Sequence, residues 1–175
     1  MNRIKIIRLL ICLTPLFLSG CPYESDIPLG SPYDAAIDQS LIGNWRLDTP
    51  ETEDEAAGIL NICAFNDHEL VITAEQEDKK GVEILRAFTT RIGGQSFLNV
   101  QSIEPGCKQS TWLFVNYGFA DGRLTLRIVE EDLFEGKEMT SSADLAAFIK
   151  ENQSNKKLYD GDADMVLVRL IKPID

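Results

Sequence analysis

Residues that could do chemistry are few in this chain, and their spacing serves it poorly. Its single imidazole, His68, falls in Asn66-Asp67-His68-Glu69, a short polar stretch between two apolar runs. A nucleophilic triad needs its base held between a nucleophile and an orienting acid; in this stretch the expected role is an exposed turn residue. Glu130-Glu131-Asp132 offers carboxylates for cleavage of a glycosidic bond. Chain neighbours in a strand point to opposite faces, so they form a poor acid/base pair across one bond. Asp160-x-Asp162-x-Asp164 has the spacing with which calcium loops begin, but the sixth and twelfth places hold Met165 and Ile171. An EF-hand requires Gly and Glu there, so a solvated acidic turn is expected. Phosphate-cradling glycine patterns do not occur. Two Cys and one His at these spacings are too few for a metal set. No metal, no cofactor and no enzymatic activity are expected.

The N-terminus is more informative. Arg3, Lys5 and Arg8 open the chain, an apolar run extends from Ile6 to Leu18, and Ser19-Gly20 precede Cys21. A basic start, a short apolar middle and small residues at a cleavage point form a secretory signal. The run is shorter than the roughly 20 apolar residues that span a bilayer. Leu18-Ser19-Gly20-Cys21 resembles the lipobox of bacterial lipoproteins. That resemblance implies a signal peptide over 1–20 and cleavage before Cys21. The Cys21 thiol would be acylated with palmitate-class chains, and usually the new amino group as well. Membrane lipid is then the implied partner, since two or more acyl chains hold a protein stably where one holds it marginally. Pro22, rather than Asp, in the following position implies the outer membrane, facing the periplasm, if the host is Gram-negative.

Of the four cysteines, Cys12 would leave with the signal and Cys21 would carry lipid. Cys63 and Cys107 remain as an even pair in an oxidising compartment, so a disulfide between them is one reading. Closing a loop of about 44 residues could add roughly 4 kcal/mol. The other reading is two unlinked thiols, with Cys63 buried as a small apolar residue. All 28 acidic residues, but only 14 of the 17 basic ones, follow Cys21, giving the remainder a net charge of about −14. Nucleic-acid binding rests on Lys and Arg neutralising phosphates, so this charge excludes it. The absence of a polybasic stretch argues against electrostatic attachment to anionic lipid.

Residues 21–39 hold Pro22, Pro28, Gly30 and Pro32 with few consecutive apolar positions, and read as a flexible tether. The folded domain is expected over 40–175. Strand signals run over 41–47, 59–65, 70–75, 82–91, 96–103, 112–119, 123–130 and 165–171. Gly93-Gly94 and Ala120-Asp121-Gly122 mark hairpins. Leu124, Leu126 and Ile128 alternate with Arg123, Thr125 and Arg127, so one face is buried. One helix is predicted over about 141–152, capped by Ser141 with Asp144 three residues on, and presenting Leu145, Phe148 and Ile149 on one face. The predicted class is mainly β: an antiparallel up-and-down meander forming a barrel or a strongly curved sheet. The polar stretch 130–140, with Gly136, reads as a connection of its own.

Gly43-x-Trp45 on the first strand, followed by a meander, a late helix and a closing strand, resembles the lipocalin-like (calycin) barrels. The resemblance implies structural roles: Gly43 for a close backbone approach, Trp45 as a plug at one barrel end, and Arg169 lying across it. Two functional readings follow. One is a non-enzymatic, membrane-anchored envelope module that engages another envelope protein. The alternative is a carrier of a small apolar ligand inside the barrel, unless large inward residues such as Phe88, Trp112 and Phe114 fill it.

Overall fold

The computed structural model describes residues 21–48, 58–75, 81–103, 110–159 and 164–170. Among these, eight strands pair in chain order and the last returns to the first, closing an antiparallel barrel. They are β1 (Gly43–Leu47), β2 (Ile59–Ala64), β3 (Leu70–Glu75), β4 (Val82–Ile92), β5 (Gln95–Ser102), β6 (Trp112–Ala120), β7 (Arg123–Ile128) and β8 (Met165–Arg169). Closure is made by Trp45↔Arg169, Arg46↔Val168 and Leu47↔Leu167. One α-helix, α1 (Ser142–Asn152), lies between β7 and β8.

Local chemistry explains these elements. Two-residue hairpins need two successive positive φ angles to match strand twist. Gly93 and Gly94 (57° and 88°) and Asp121 and Gly122 (53° and 75°) provide them. The Ser141 hydroxyl accepts from the Asp144 amide at 3.1 Å and donates to its carboxylate at 2.7 Å, which starts α1. These hydroxyl contacts hold the Asp144 carboxyl below its ordinary range. Leu145 and Ile149 are buried on one helix face. The 130–140 stretch leaves the ladder without opening it, because β7 pairs directly with β8 from Arg123↔Val168 to Leu126↔Met165.

Two apolar clusters result. The first fills the barrel with inward side chains such as Leu41, Trp45, Leu70, Leu98, Leu124 and Leu167. The second lies on the outer wall of β4–β6, where Phe88, Phe97, Trp112 and Phe114 pack beneath Leu29, Leu145, Ile149 and Leu158. Phe88, Trp112 and Phe114 therefore do not fill the barrel, contrary to the sequence expectation. Their neighbours Ala87, Leu113 and Val115 are also buried, so apolar character alone does not show which set points in.

The segment 21–39 is not a tether. It binds the outer wall as a strap, then rounds one barrel end to enter β1. Ser25 exchanges two backbone bonds with Trp112 (3.0 and 2.7 Å), and the Tyr23 ring stacks on Phe134 at 3.7 Å. Further along, Asn99 clamps it. Buried on the outer face of β5, Asn99 accepts from the Leu29 amide at 2.6 Å and donates to the Leu29 carbonyl at 3.2 Å. The Thr90 hydroxyl donates to the same carbonyl at 2.7 Å. Past the clamp, Thr89 donates to the Ala36 carbonyl and His68 Nδ1 meets the Ala35 carbonyl.

Replacing the clamp tests this description. Asn99→Ala leaves buried backbone groups of Leu29 short of partners, so unfolding free energy should fall by about 1–3 kcal/mol. The urea midpoint measures the loss, and protease should cut within 21–39 before the barrel opens.

Candidate functional site

The two barrel ends differ. The first is sealed by Leu41 and Trp45, with Gly43 and Arg169 at its edge. Trp45, 1% exposed, donates from its indole to the Leu41 carbonyl at 2.8 Å. The Arg169 guanidinium lies 4.3 Å from the centre of the Trp45 ring and donates to the Ile42 and Ser40 carbonyls at 2.5 and 2.6 Å. Arg169 thus ties the chain entering β1 to the strand that ends the barrel. Gly43, at φ 146°, permits this: a Cβ there would strike Arg169 Nη1. Nearby, the Tyr117 hydroxyl donates to Asp38 at 3.1 Å. Burial and the Asp38 carboxylate push the Tyr117 phenol above its ordinary range.

The opposite end is where the β1–β2, β3–β4, β5–β6 and β7–β8 connections lie. Inward side chains there are mostly aliphatic and not fully dry, with Glu83 and Ser102 also in inward register positions. Ala74, Leu85, Val100, Ile128 and Met165 keep 6–9% of their surface, whereas Leu41, Leu70, Ala87, Leu98, Leu124 and Leu167 keep 3% or less. Along β6 the order is reversed, with Leu113 at 4%, Val115 at 8% and Tyr117 at 7%. A closed eight-stranded barrel of this kind is compatible with binding a small ligand.

Cys21 stands at this second end. Its carbonyl accepts from the Glu131 amide at 2.9 Å, Pro22 bridges to Glu130, and its side chain is exposed. Partial desolvation and the carboxylates of Glu131, Glu130 and Asp132 push its thiol up. A thiol held protonated is a poor nucleophile and a poor ligand for metal. Glu130-Glu131-Asp132 therefore surrounds Cys21. Cys63 is not buried, contrary to one sequence reading: it is an exposed thiol donating to Asn61 Oδ1 at 2.8 Å, because it points out of β2. Its proposed disulfide partner Cys107 lies outside the described residues, as do Asp160, Asp162 and the lipobox residues before Cys21. Asp164 pairs with Arg127 at 2.8 and 2.9 Å. Among the described residues no cluster of three metal-capable side chains occurs. Among the same residues no helix is long and apolar enough to cross a membrane.

Sequence reasoning missed Asn99, Tyr117 and Asp38. Asn99 did leave a signal, as a polar residue inside the apolar run Phe97-Leu98-Asn99-Val100. No family model matches this chain, and neither curated proteins nor solved structures give a match.

Two measurements probe the ends. Arg169→Ala removes a guanidinium–indole contact at an exposed site, so stability should fall by about 0.5–1 kcal/mol from that contact alone, with more from the two lost bonds. Thermal denaturation and near-UV signals of Trp45 report it. The second measurement is alkaline. Burial pushes the Tyr159 phenol up to about 12, and Tyr117 is raised as well. A raised phenol stabilises the fold below the ordinary phenol value of about 10, and that stability disappears as pH climbs through the folded-state value. Melting temperature should therefore drop from about pH 10 upward, with tyrosinate absorbance rising alongside.

Proposed function

We propose that this chain is a non-enzymatic binding module of the bacterial cell envelope, anchored to membrane lipid through acylated Cys21, whose barrel lumen receives a small apolar ligand. The observation that carries the ligand reading is the closed eight-stranded barrel itself, plugged at one end by Trp45 and with an interior that is mostly aliphatic toward Ala74, Val100 and Met165. The anchor reading is supported by Leu18-Ser19-Gly20-Cys21 and by the exposure of the Cys21 side chain. Outer-membrane attachment follows from Pro22 if the host is Gram-negative. His68 Nδ1 meets the Ala35 carbonyl and so serves the strap, which is in keeping with a binding role. The strongly acidic surface supports an envelope protein as a second client, captured in a salt-sensitive way.

The two parts have separate tests. Labelled palmitate should enter the wild-type chain and not Cys21→Ser; a wild type that never takes label removes the anchor. Soluble Cys21→Ser protein should bind a fluorescent fatty acid saturably, and Ala74→Trp, which fills the aliphatic half of the lumen, should weaken it at least about tenfold. Equal binding by both proteins, or none by the first, ends the carrier reading.

A further inference from the structure

We propose that the strap is a leash without slack, which keeps the barrel next to the membrane carrying its anchor and limits its clients to that membrane; this rests on acylation of Cys21. A free linker over 21–39 would let the domain stand up to about 60 Å away. The bonds of the segment remove that length, and they begin at its first residue. The Cys21 carbonyl accepts from the Glu131 amide at 2.9 Å, and Pro22 bridges to Glu130. The Tyr23 amide donates to the Val129 carbonyl at 2.9 Å, and the Thr111 hydroxyl to the Glu24 carboxylate at 2.9 Å. The receiving stretch is itself held: the Val129 amide donates to the Phe114 carbonyl at 2.9 Å, and the Glu130 amide to the Leu158 carbonyl at 3.0 Å. No free residue separates the lipidated sulfur from the wall.

The wall is built to receive this segment. Asn99 and Leu29 are both fully buried, and both ends of the Asn99 carboxamide are turned to Leu29. Thr90 and Ser142 direct their hydroxyls at the Leu29 and Pro28 carbonyls, each at 2.7 Å. Lifting the strap would strand the Asn99 carboxamide and uncover the aromatic side chains beneath Leu29. Both are costly, so the docked strap is the resting state. The bonds are also spread from Cys21 to Ala36, so losing one does not free the whole length. A linker that cannot span the gap to a second site gives almost no effective concentration there. A client seated in or on the same membrane is within reach of the docked domain, whereas one on a facing membrane is not.

The test uses the full chain in lipidated form on phosphatidylcholine vesicles. The Tyr23, Ser25 and Leu29 amides point at Val129, Trp112 and Asn99, so their hydrogen exchange reports docking directly. Exchange at all three should be at least about a hundredfold slower than in a free chain. A dye on the exposed Cys63 thiol, in a Cys107→Ser background, reports the height of the barrel by energy transfer to acceptors in the lipid headgroups. Inserting about twelve Gly and Ser residues between Cys21 and Pro22 adds roughly 20 Å of reach and keeps the bonds from Tyr23 onward, so transfer should fall at least about twofold. Free-chain exchange at the three amides, in protein that carries palmitate, overturns the leash and leaves the anchor standing. Equal transfer with and without the insertion means that the strap does not set the height, and also overturns the proposal. Protein that carries no palmitate and stays off the vesicles overturns the anchor and the leash together.

Discussion

A single buried carboxamide determines how the outer surface of this barrel is covered. Asn99 presents an acceptor and a donor side by side, as a peptide group does, and Leu29 supplies the matching amide and carbonyl. A buried amide without partners is costly, and a strap that slides by one residue would offer a different pattern of donors. The clamp therefore selects one register for the segment from Cys21 to Asp38. That register lays Leu29 over Phe88 and Phe97, sends Ala35 and Ala36 to the sealed end, and leaves Cys21 at the other. The aromatic wall, the plug and the position of the Cys21 thiol all depend on it.

The barrel was largely legible in the residues. Asp121-Gly122 and Gly93-Gly94 announce hairpins because few other pairs tolerate two positive φ angles, and Leu124, Leu126 and Ile128 announce an inward face. Ser141 and Asp144 announce the helix for an equally local reason. The strap was not legible. Its bonds are largely backbone groups meeting side chains far away in sequence, and Leu29 is an isolated apolar residue among prolines, glycine and serine. A segment held that way has the composition of a linker. The missing information sat in its partner instead: Trp112-Leu113-Phe114-Val115 is apolar without alternation, which in a strand means that both faces are covered.

The same lack of alternation explains why Phe88, Trp112 and Phe114 were read as barrel filling. In a strand apolar on both sides, facing is fixed only by reference to a residue whose direction is known. Trp45 provides that reference through the ladder, since closure through β8 carries its inward direction around to Leu124 and Leu126. Gly-x-Trp was visible in the sequence, but the parity it imposes on strands across the barrel required the register of each intervening pair. Site chemistry showed a similar division. Cys21 stood out by its context after Leu18-Ser19-Gly20, whereas the carboxylates that raise its thiol come from a part of the chain more than a hundred residues away.

The two barrel ends are held by different physics, and this gives the molecule a direction. At the sealed end, charged and polar groups do the fastening: Arg169 on the Ser40 and Ile42 carbonyls, Tyr117 on Asp38, His68 on Ala35. Such contacts are directional and fix one geometry, which suits a plug. At the other end most inward groups are aliphatic, beside Glu83 and Ser102, and aliphatic surface adapts to whatever apolar shape it meets because its attraction has no preferred angle. The strap joins both regimes in one covalent segment. A change at either end of the strap reaches the other only by way of the Asn99 clamp and the Ser25–Trp112 pair. Those two points separate Cys21 from the plug mechanically, so the seal at Trp45 does not depend on what Cys21 meets.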